Sequence, residues 1–347
     1  MMAASEVVRI LALTTISFVV AMLGTPILTH FLYRYRLGKQ IRQDPATPIY
    51  SSLHKAKEGT PTMGGILVWG VAFLLVVVFG LADLAWPGSV FAKLNFLSRS
   101  QTLLPLGALV LSALIGLGDD LLGIFRIGPK GGGLNMKHRL VLYTIVAAIV
   151  AWWFYAKLGR HVLHVPFAGN FDLDGWFIAF AAFIIVATAF STNEADGLDG
   201  LAGGVMLIAY AALGAIAFRA GLYDLAAFSG VLIGGLLAFL WFNIHPARFF
   251  LGDTGAMSLG VTLGVMALLT NTALLLPLIF FIPFLESASV IAQVISKKFF
   301  GRKIFLSTPI HHHFEALGWP ESKVTMRFWI VAGVMAVGGV IAVLVGR

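Results

Sequence analysis

The sequence predicts an all-α polytopic membrane protein of about ten transmembrane helices. Three observations carry that expectation. Hydrophobic residues make up 59% of the chain and charged residues 12%, against roughly 25% charged in ordinary soluble domains. Apolar runs of ~20 residues recur along the chain, which a large soluble core does not require. Basic residues gather in alternate connections between those runs, the pattern that orients a membrane protein. Cysteine is absent, which excludes disulfides and thiolate metal sites.

The first run, 8–33, exceeds the ~7–15-residue core of a cleavable signal and reads as a span. The next runs cover 63–84, 101–118, 140–157, 175–192, 200–219 and 224–242. The eighth, 255–270, is short for a bilayer crossing, so tilt or partial interfacial placement is expected. The ninth, 274–297, contains Pro277 and Pro283, and proline predicts a kink. The tenth is 327–346. Between the fourth and fifth, alternating residues flank Ala168-Gly169-Asn170, predicting a small hairpin near 161–173 with a capping role. Residues 1–347 read as a single integral membrane domain.

Of the 24 Lys and Arg residues, 17 fall in the connections 34–62, 119–139, 193–199, 243–254 and 297–327. The positive-inside rule assigns that set to the cytoplasm and both termini to the periplasm. The net charge of +8 then reflects orientation, and no nucleic-acid partner is expected.

With that topology, Asp119, Asp120, Asp196, Asp199 and Asp253 all fall on the cytoplasmic side, in a chain with only 16 acidic residues. A carboxylate at the mouth of a membrane helix is costly unless water, a cation or a partner charge meets it. Clustered carboxylates suggest a hard cation, and a hard cation suggests phosphate chemistry. Asn193-Glu194-Ala195-Asp196-Gly197-Leu198-Asp199-Gly200 packs three acids and an amide into one short connection without basic partners. Asp253 stands between glycines at a helix start, where an N-cap and a phosphate-side metal ligand are both chemically reasonable. His311-His312-His313 cannot all converge on one ion from a helix, so hydrogen bonding to phosphates or carboxylates is preferred over zinc. The segment from His54 and Lys55 through Lys57 and Thr62 to Gly65 supplies cations, hydroxyls and glycines at a helix start. Lys130, Lys137 and Arg139 add cations after the Asp pair, beside glycines 131–133. Glu286 lies about 11 residues inside the ninth run, or ~16 Å deep on a straight helix. An ionisable group at that depth reads as functional, unless a break at Pro283 returns it to the cytoplasmic cavity.

Taken together, Gly59–Gly65, Asp119-Asp120, Asn193–Gly204, Asn243, Phe250–Gly255, Glu286–Gln293, Pro309–Glu315 and Arg327-Phe328-Trp329 carry a resemblance over nearly the whole chain. It resembles the bacterial phospho-N-acetylmuramoyl-pentapeptide transferases, within the polyprenyl-phosphate N-acetylhexosamine-1-phosphate transferase superfamily. The acidic segments look like the wider superfamily, and the histidine run like the muramoyl-pentapeptide branch. The resemblance implies that undecaprenyl phosphate attacks UDP-N-acetylmuramoyl-pentapeptide to give lipid I and UMP, with Mg²⁺ required. It implies Asp119, Asp120, Asp253 and His311 as catalytic candidates, with Asp253 and Asp120 as metal ligands. Lys57, Thr62, Asp196, Gly197, Leu198, Asp199, Asn243, Phe250 and Gln293 look like the nucleotide-side pocket. Lys137 looks like a pyrophosphate contact, and Asn193, His312 and His313 look like further substrate contacts. The family also implies a homodimer in the bacterial inner membrane, with its active site on the cytoplasmic face.

The physics agrees with that expectation. One substrate is a water-soluble nucleotide; the other is a lipid whose roughly 55 carbons, at ~0.8 kcal/mol per CH₂, keep it in the bilayer. They can meet only at the headgroup plane. A sister transferase acting on UDP-N-acetylglucosamine would share the acids but not the histidine run. A secondary transporter would place its acids near the midplane within inverted repeats, and no repeat is evident.

Overall fold

The computed structural model describes residues 2–38, 57–128 and 132–346. His54, Lys55, Lys130 and Gly131 lie outside them. Helix α1 spans Met2–Arg34, α2 Ile66–Ala85, α3 Leu103–Ile124 and α4 Met136–Leu158. Strands β1 (Val162–Val165) and β2 (Gly169–Asp172) follow. Then come α5 (Trp176–Ala195), α6 (Leu201–Arg219), α7 (Tyr223–Asn243) and α8 (Gly252–Leu269). The chain ends with α9 (Leu276–Ile279), α10 (Phe281–Phe300), α11 (Ile310–Ala316) and α12 (Glu321–Val345). Among the described residues, nine helices are long and apolar enough to cross a membrane, and one bent pair makes up to ten. The expected all-α polytopic class holds.

The hairpin forms where the sequence places it, with Val162 opposite Asp172 and Val165 opposite Gly169 in an antiparallel register. The Gly346 carbonyl accepts from the Phe167 amide at 3.2 Å. The hairpin therefore sits with the C-terminal end of α12, at the end of the bundle where α4 closes and α5 opens.

The short eighth run is enclosed by protein. Its helix, α8, is the centre of the molecule: 94% of its apolar window is buried inside the protein, against 28% for α12. It packs most extensively on α3 and α5. A helix sheathed by protein need not match the thickness of lipid, and small residues allow the close packing. Gly116 of α3 shows how close: a Cβ there would stand 2.3 Å from the Asp253 carbonyl oxygen. Two hydroxyls of α8 are satisfied within the helix, Ser258 donating to the Thr254 carbonyl (2.6 Å) and Thr262 to that of Ser258 (2.7 Å), while Thr254 donates across to the Ala113 carbonyl of α3 (2.8 Å). Such back-bonding lets polar side chains sit in an apolar interior.

Three differences from the expected boundaries bear on the site. Helix α3 continues to Ile124, so Asp119 and Asp120 lie within its last turns, both buried. Helix α4 begins at Met136, with Asn135 Oδ1 accepting from the His138 amide at 3.0 Å as the N-cap. Helix α12 begins at Glu321 rather than near 327. The ninth run does more than kink: it breaks at Phe280, with a bend of 93° between Ala273–Ile279 and Phe281–Phe300. Pro277 and Pro283 flank the break in the first turns of α9 and α10, where a missing N–H is tolerated. A depth for Glu286 along a straight span therefore does not apply.

Candidate active site

The loops that the helices alternately leave at one end converge there. The centre is a four-residue junction between α3, α4, α5 and α8. Arg139 Nε lies 2.7 Å from Asp119 Oδ2, and its Nη2 lies 2.8 Å from Asp253 Oδ2. Asn193 donates to Asp253 Oδ1 at 2.7 Å and accepts from Arg139 at 3.2 Å. The second oxygen of Asp119 accepts from the Leu134 amide at 2.6 Å. Asp253 is the open member, with its side chain 21% exposed against 4% for Asp119.

Asp120 faces differently. Its Oδ1 accepts from the Asp253 amide (3.1 Å) and the Thr62 hydroxyl (3.3 Å), and its Oδ2 from the Thr254 amide (3.0 Å). Those amides belong to the first turn of α8, so a carboxylate of α3 caps the neighbouring helix and meets its dipole. The capping role considered for Asp253 thus belongs to Asp120. The glycine at 252 permits this approach: at φ 77° a Cβ there would lie 2.7 Å from Asp120 Oδ2.

A second cluster surrounds the turn between α5 and α6. Lys57 Nζ donates to Asp199 Oδ1 at 2.8 Å and to Glu321 Oε1. Asp199 Oδ2 lies 2.9 Å from His245 Nδ1 and accepts from the Ala247 amide at 3.0 Å. Burial pushes the Asp199 carboxyl up, but the Lys57 charge and the hydrogen bonds from Lys57, Ala247 and His245 outweigh it and hold the group below its usual range. Lys57 also sits 5.8 Å from the centre of the Phe250 ring, within cation–π range. Asn243 fastens this end, accepting from the Gly200 amide (3.0 Å) and donating to the Phe249 carbonyl (2.8 Å). Leu198 is buried in a small apolar cluster with Leu201, Val324 and Phe328. Asp196 and Gly197 lie half-buried on the same turn.

The histidines of α11 diverge. His311 Nδ1 lies 2.9 Å from Glu286 Oε2, with both side chains fully buried. Here the break at Phe280 lets α10 carry Glu286 to α11. The other edge of the His311 ring meets Gly197, where a Cβ would stand 2.2 Å from Nε2. His312 Nδ1 lies 2.7 Å from Glu315, and His313 Nδ1 accepts from the Leu306 amide at 3.2 Å. Gln293 holds the loop between α10 and α11, accepting from the Ile304 and Phe305 amides and donating to the Phe305 carbonyl.

The structure thus joins Asp119, Asp120, Asp253, Asn193 and Thr62 in one network. It joins Lys57, Asp199 and Phe250 in a second, linked to the first through the α5–α6 turn. Gln293, His312 and His313 are engaged in their own loop. Lys137 is exposed on the first turn of α4. Residues two apart on a helix point about 200° from each other, so Arg139 reaches the acids and Lys137 does not. Sequence reasoning undervalued Arg139 and missed His245 and Glu321. Their partners are distant in sequence, and no local spacing marks them.

Among the described residues, Asp199, His245 and Glu321 offer ligand atoms within 4.8 Å of one another. The Lys57 ammonium already contacts two of them. Asp253 and Asp119 are also oxygen donors of the kind a hard divalent ion takes, and both pair with the Arg139 guanidinium. Residues 102–271 match the family model described as glycosyl transferase family 4. The chain is 37% identical over 325 residues to a phospho-N-acetylmuramoyl-pentapeptide-transferase of Caldanaerobacter subterraneus subsp. tengcongensis, covering 93% of this chain and 95% of that one. It is 40% identical to the protein of that name from Moorella thermoacetica, covering 92% and 94%, and 34% identical to that of Chloroflexus aggregans, covering 98% and 91%. With such identity sustained end to end, the chain belongs to the phospho-N-acetylmuramoyl-pentapeptide transferase family.

Proposed function

We propose that this protein transfers phospho-N-acetylmuramoyl-pentapeptide from its UDP derivative to undecaprenyl phosphate, giving lipid I and UMP. The observation that carries the reading is the acidic network around Arg139 at one end of an apolar bundle, in a chain of this family. An oxygen of the lipid phosphate attacks the β-phosphorus in line. A new P–O bond forms as the bond to the bridging oxygen breaks, and UMP leaves with that oxygen. Two phosphate-bearing anions must approach each other, so the site needs cations. Arg139 supplies one at the junction of acids, and Lys57 supplies another on the nucleotide side. Asp253, the most open carboxylate of the junction, is the first candidate to hold Mg²⁺, with Asp119 beside it. Asp120 is the other candidate; like those of Asp119, its oxygens already accept from protein donors. Bound there, Mg²⁺ would neutralise pyrophosphate charge and stabilise departing UMP.

The acceptor needs little base. A phosphate monoester has its second pKa near ~6 and is mostly dianionic at neutral pH. Both oxygens of Asp119 are engaged, by Arg139 and by the Leu134 amide, which supports positioning over proton removal. The Asp119→Asn variant is therefore expected to stay slow at every pH; full recovery at high pH would assign it the base role. One-step attack is favoured, since the lipid phosphate is already a competent nucleophile. A burst of UMP from enzyme and nucleotide substrate without lipid would instead establish a covalent route. On this reading the protein works in the bacterial inner membrane as a homodimer, with this end of the bundle facing the cytoplasm. Comparing labelled UDP-N-acetylmuramoyl-pentapeptide with labelled UDP-N-acetylglucosamine tests the donor directly.

A further inference from the structure

Helix α12 reaches the active-site end with three side chains stacked at four-residue spacing on one face: Glu321, Thr325 and Trp329. All three bind the backbone of one turn. A Glu321 carboxylate oxygen accepts from the Asp199 amide at 2.5 Å. The Thr325 hydroxyl donates to the Asp199 carbonyl at 3.1 Å. The Trp329 indole donates to the Gly200 carbonyl at 3.1 Å. Asn243 takes the remaining group, the Gly200 amide. Every backbone donor and acceptor of Asp199 and Gly200 is therefore bound by a side chain, three of the four from α12. The contact is also steric: the Trp329 ring would stand 2.1 Å from a Cβ at position 204.

Holding one amide does not require a carboxylate; a serine or asparagine oxygen serves, without the desolvation cost of a largely buried charge. Glu321 is 12% exposed, and the oxygen that accepts from the Asp199 amide also receives Lys57 Nζ. One side chain thus sets both the height of the turn and the direction of the lysine. Lys57 stands between two carboxylates, with His245 Nδ1 3.6 Å from the second Glu321 oxygen. Glu321 lies in the first turn of α12, where the helix dipole favours its negative charge.

We propose that Glu321, backed by Thr325 and Trp329, is a positioning residue for the nucleotide half of the donor. It holds Lys57 and the Asp196–Gly200 turn in register without itself touching the phosphates that react. This rests on reading that turn and Lys57 as the nucleotide side of the pocket. The role separates into two parts. Charge aims Lys57, and any oxygen acceptor at that place holds the turn.

The test uses the full chain, purified in lipid nanodiscs, with UMP affinity and the KM of each substrate measured separately. Glu321→Gln keeps an acceptor for the turn but removes the charge; UMP affinity is expected to fall, and the donor KM to rise, about tenfold. Glu321→Ala removes both and is expected to cost more. Thr325→Val, nearly isosteric, is expected to raise the donor KM about threefold. In each, kcat and the KM for undecaprenyl phosphate stay within about twofold. The losses from Glu321→Gln and Lys57→Met are expected to be non-additive, because they break one interaction. Unchanged UMP affinity and donor KM in Glu321→Gln and Thr325→Val would overturn the proposal. So would equal rises in both KM values, which would mark a purely architectural role. If Glu321→Ala does not fold, the two isosteric variants still decide. A wild-type protein that neither binds nor releases UMP would defeat the functional reading, and the clamp with it; a competent wild type with indifferent variants defeats the clamp alone.

Discussion

Asp120 and Asp253 are both acids at the same membrane edge, yet their surroundings assign them different work. Asp120 accepts two amides of α8, so Asp120→Asn must turn an amide N–H toward a backbone N–H or lose a bond. The expected cost is about 1–3 kcal/mol of stability, read as a lower melting temperature of the solubilised protein. Asp253 is open and takes side-chain donors only. Asp253→Asn is expected to melt close to the wild type while turnover falls about a hundredfold or more. Asp199 adds a pH dependence. Its carboxyl is held below the usual range by Lys57 and its hydrogen bonds. A depressed acid stabilises the folded state fully above the ordinary carboxylate pKa, and that contribution is lost as pH falls through the folded value. Melting temperature is therefore expected to drop more steeply in acid for the wild type than for Asp199→Asn. The acids were legible because acid is scarce in this chain and sits at the ends of apolar runs. Arg139, His245 and Glu321 were not, since each gains its meaning from a partner more than a hundred residues away or across another helix.

Helix α8 shows where periodicity informs and where it stops. The run was legible as a span, but its shortness suggested tilt or partial interfacial placement when, among the described residues, it belongs to the most enclosed of the long helices. Length reports on lipid only for helices that touch lipid. The α3–α8 contact that sets Asp119 and Asp120 against the start of α8 depends on Gly116. Gly116→Ala would push a methyl group to 2.3 Å from the Asp253 carbonyl oxygen. Separating the two helices is expected to cost about 1–3 kcal/mol and to lower activity together with melting temperature. Both retained at wild-type level would show that the close approach is dispensable. The break at Phe280 is a second case. The prolines announced a disturbance, but not a turn of 93°, after which α10 carries Glu286 to His311 of α11.

At the scale of the whole molecule, the alternation of helices delivers the loops rich in Lys and Arg to the end that carries the acids. The hairpin and the end of α12 lie at the other. That arrangement suits a reaction between a cytoplasmic nucleotide and a membrane lipid only if the acidic end faces the cytoplasm. The native chain has no cysteine, so single cysteines report sidedness cleanly. In intact spheroplasts, Ser100→Cys is expected to react with an impermeant maleimide, and Lys303→Cys only after permeabilisation; the reverse pattern would invert the orientation. The spans were legible from hydropathy, since it acts locally along the chain. The two networks at the mouth were not, since they exist only once four helices have packed.

The central claim is chemical, and one assay addresses it most directly. Purified full-length protein is supplied with UDP-N-acetylmuramoyl-pentapeptide, undecaprenyl phosphate and Mg²⁺, and UMP and lipid-linked product are measured together. Equal amounts of both are expected, each abolished when any one of the three components is withheld and restored when it is returned. No product from the active, folded wild type, or equal turnover after the metal is chelated, would contradict it.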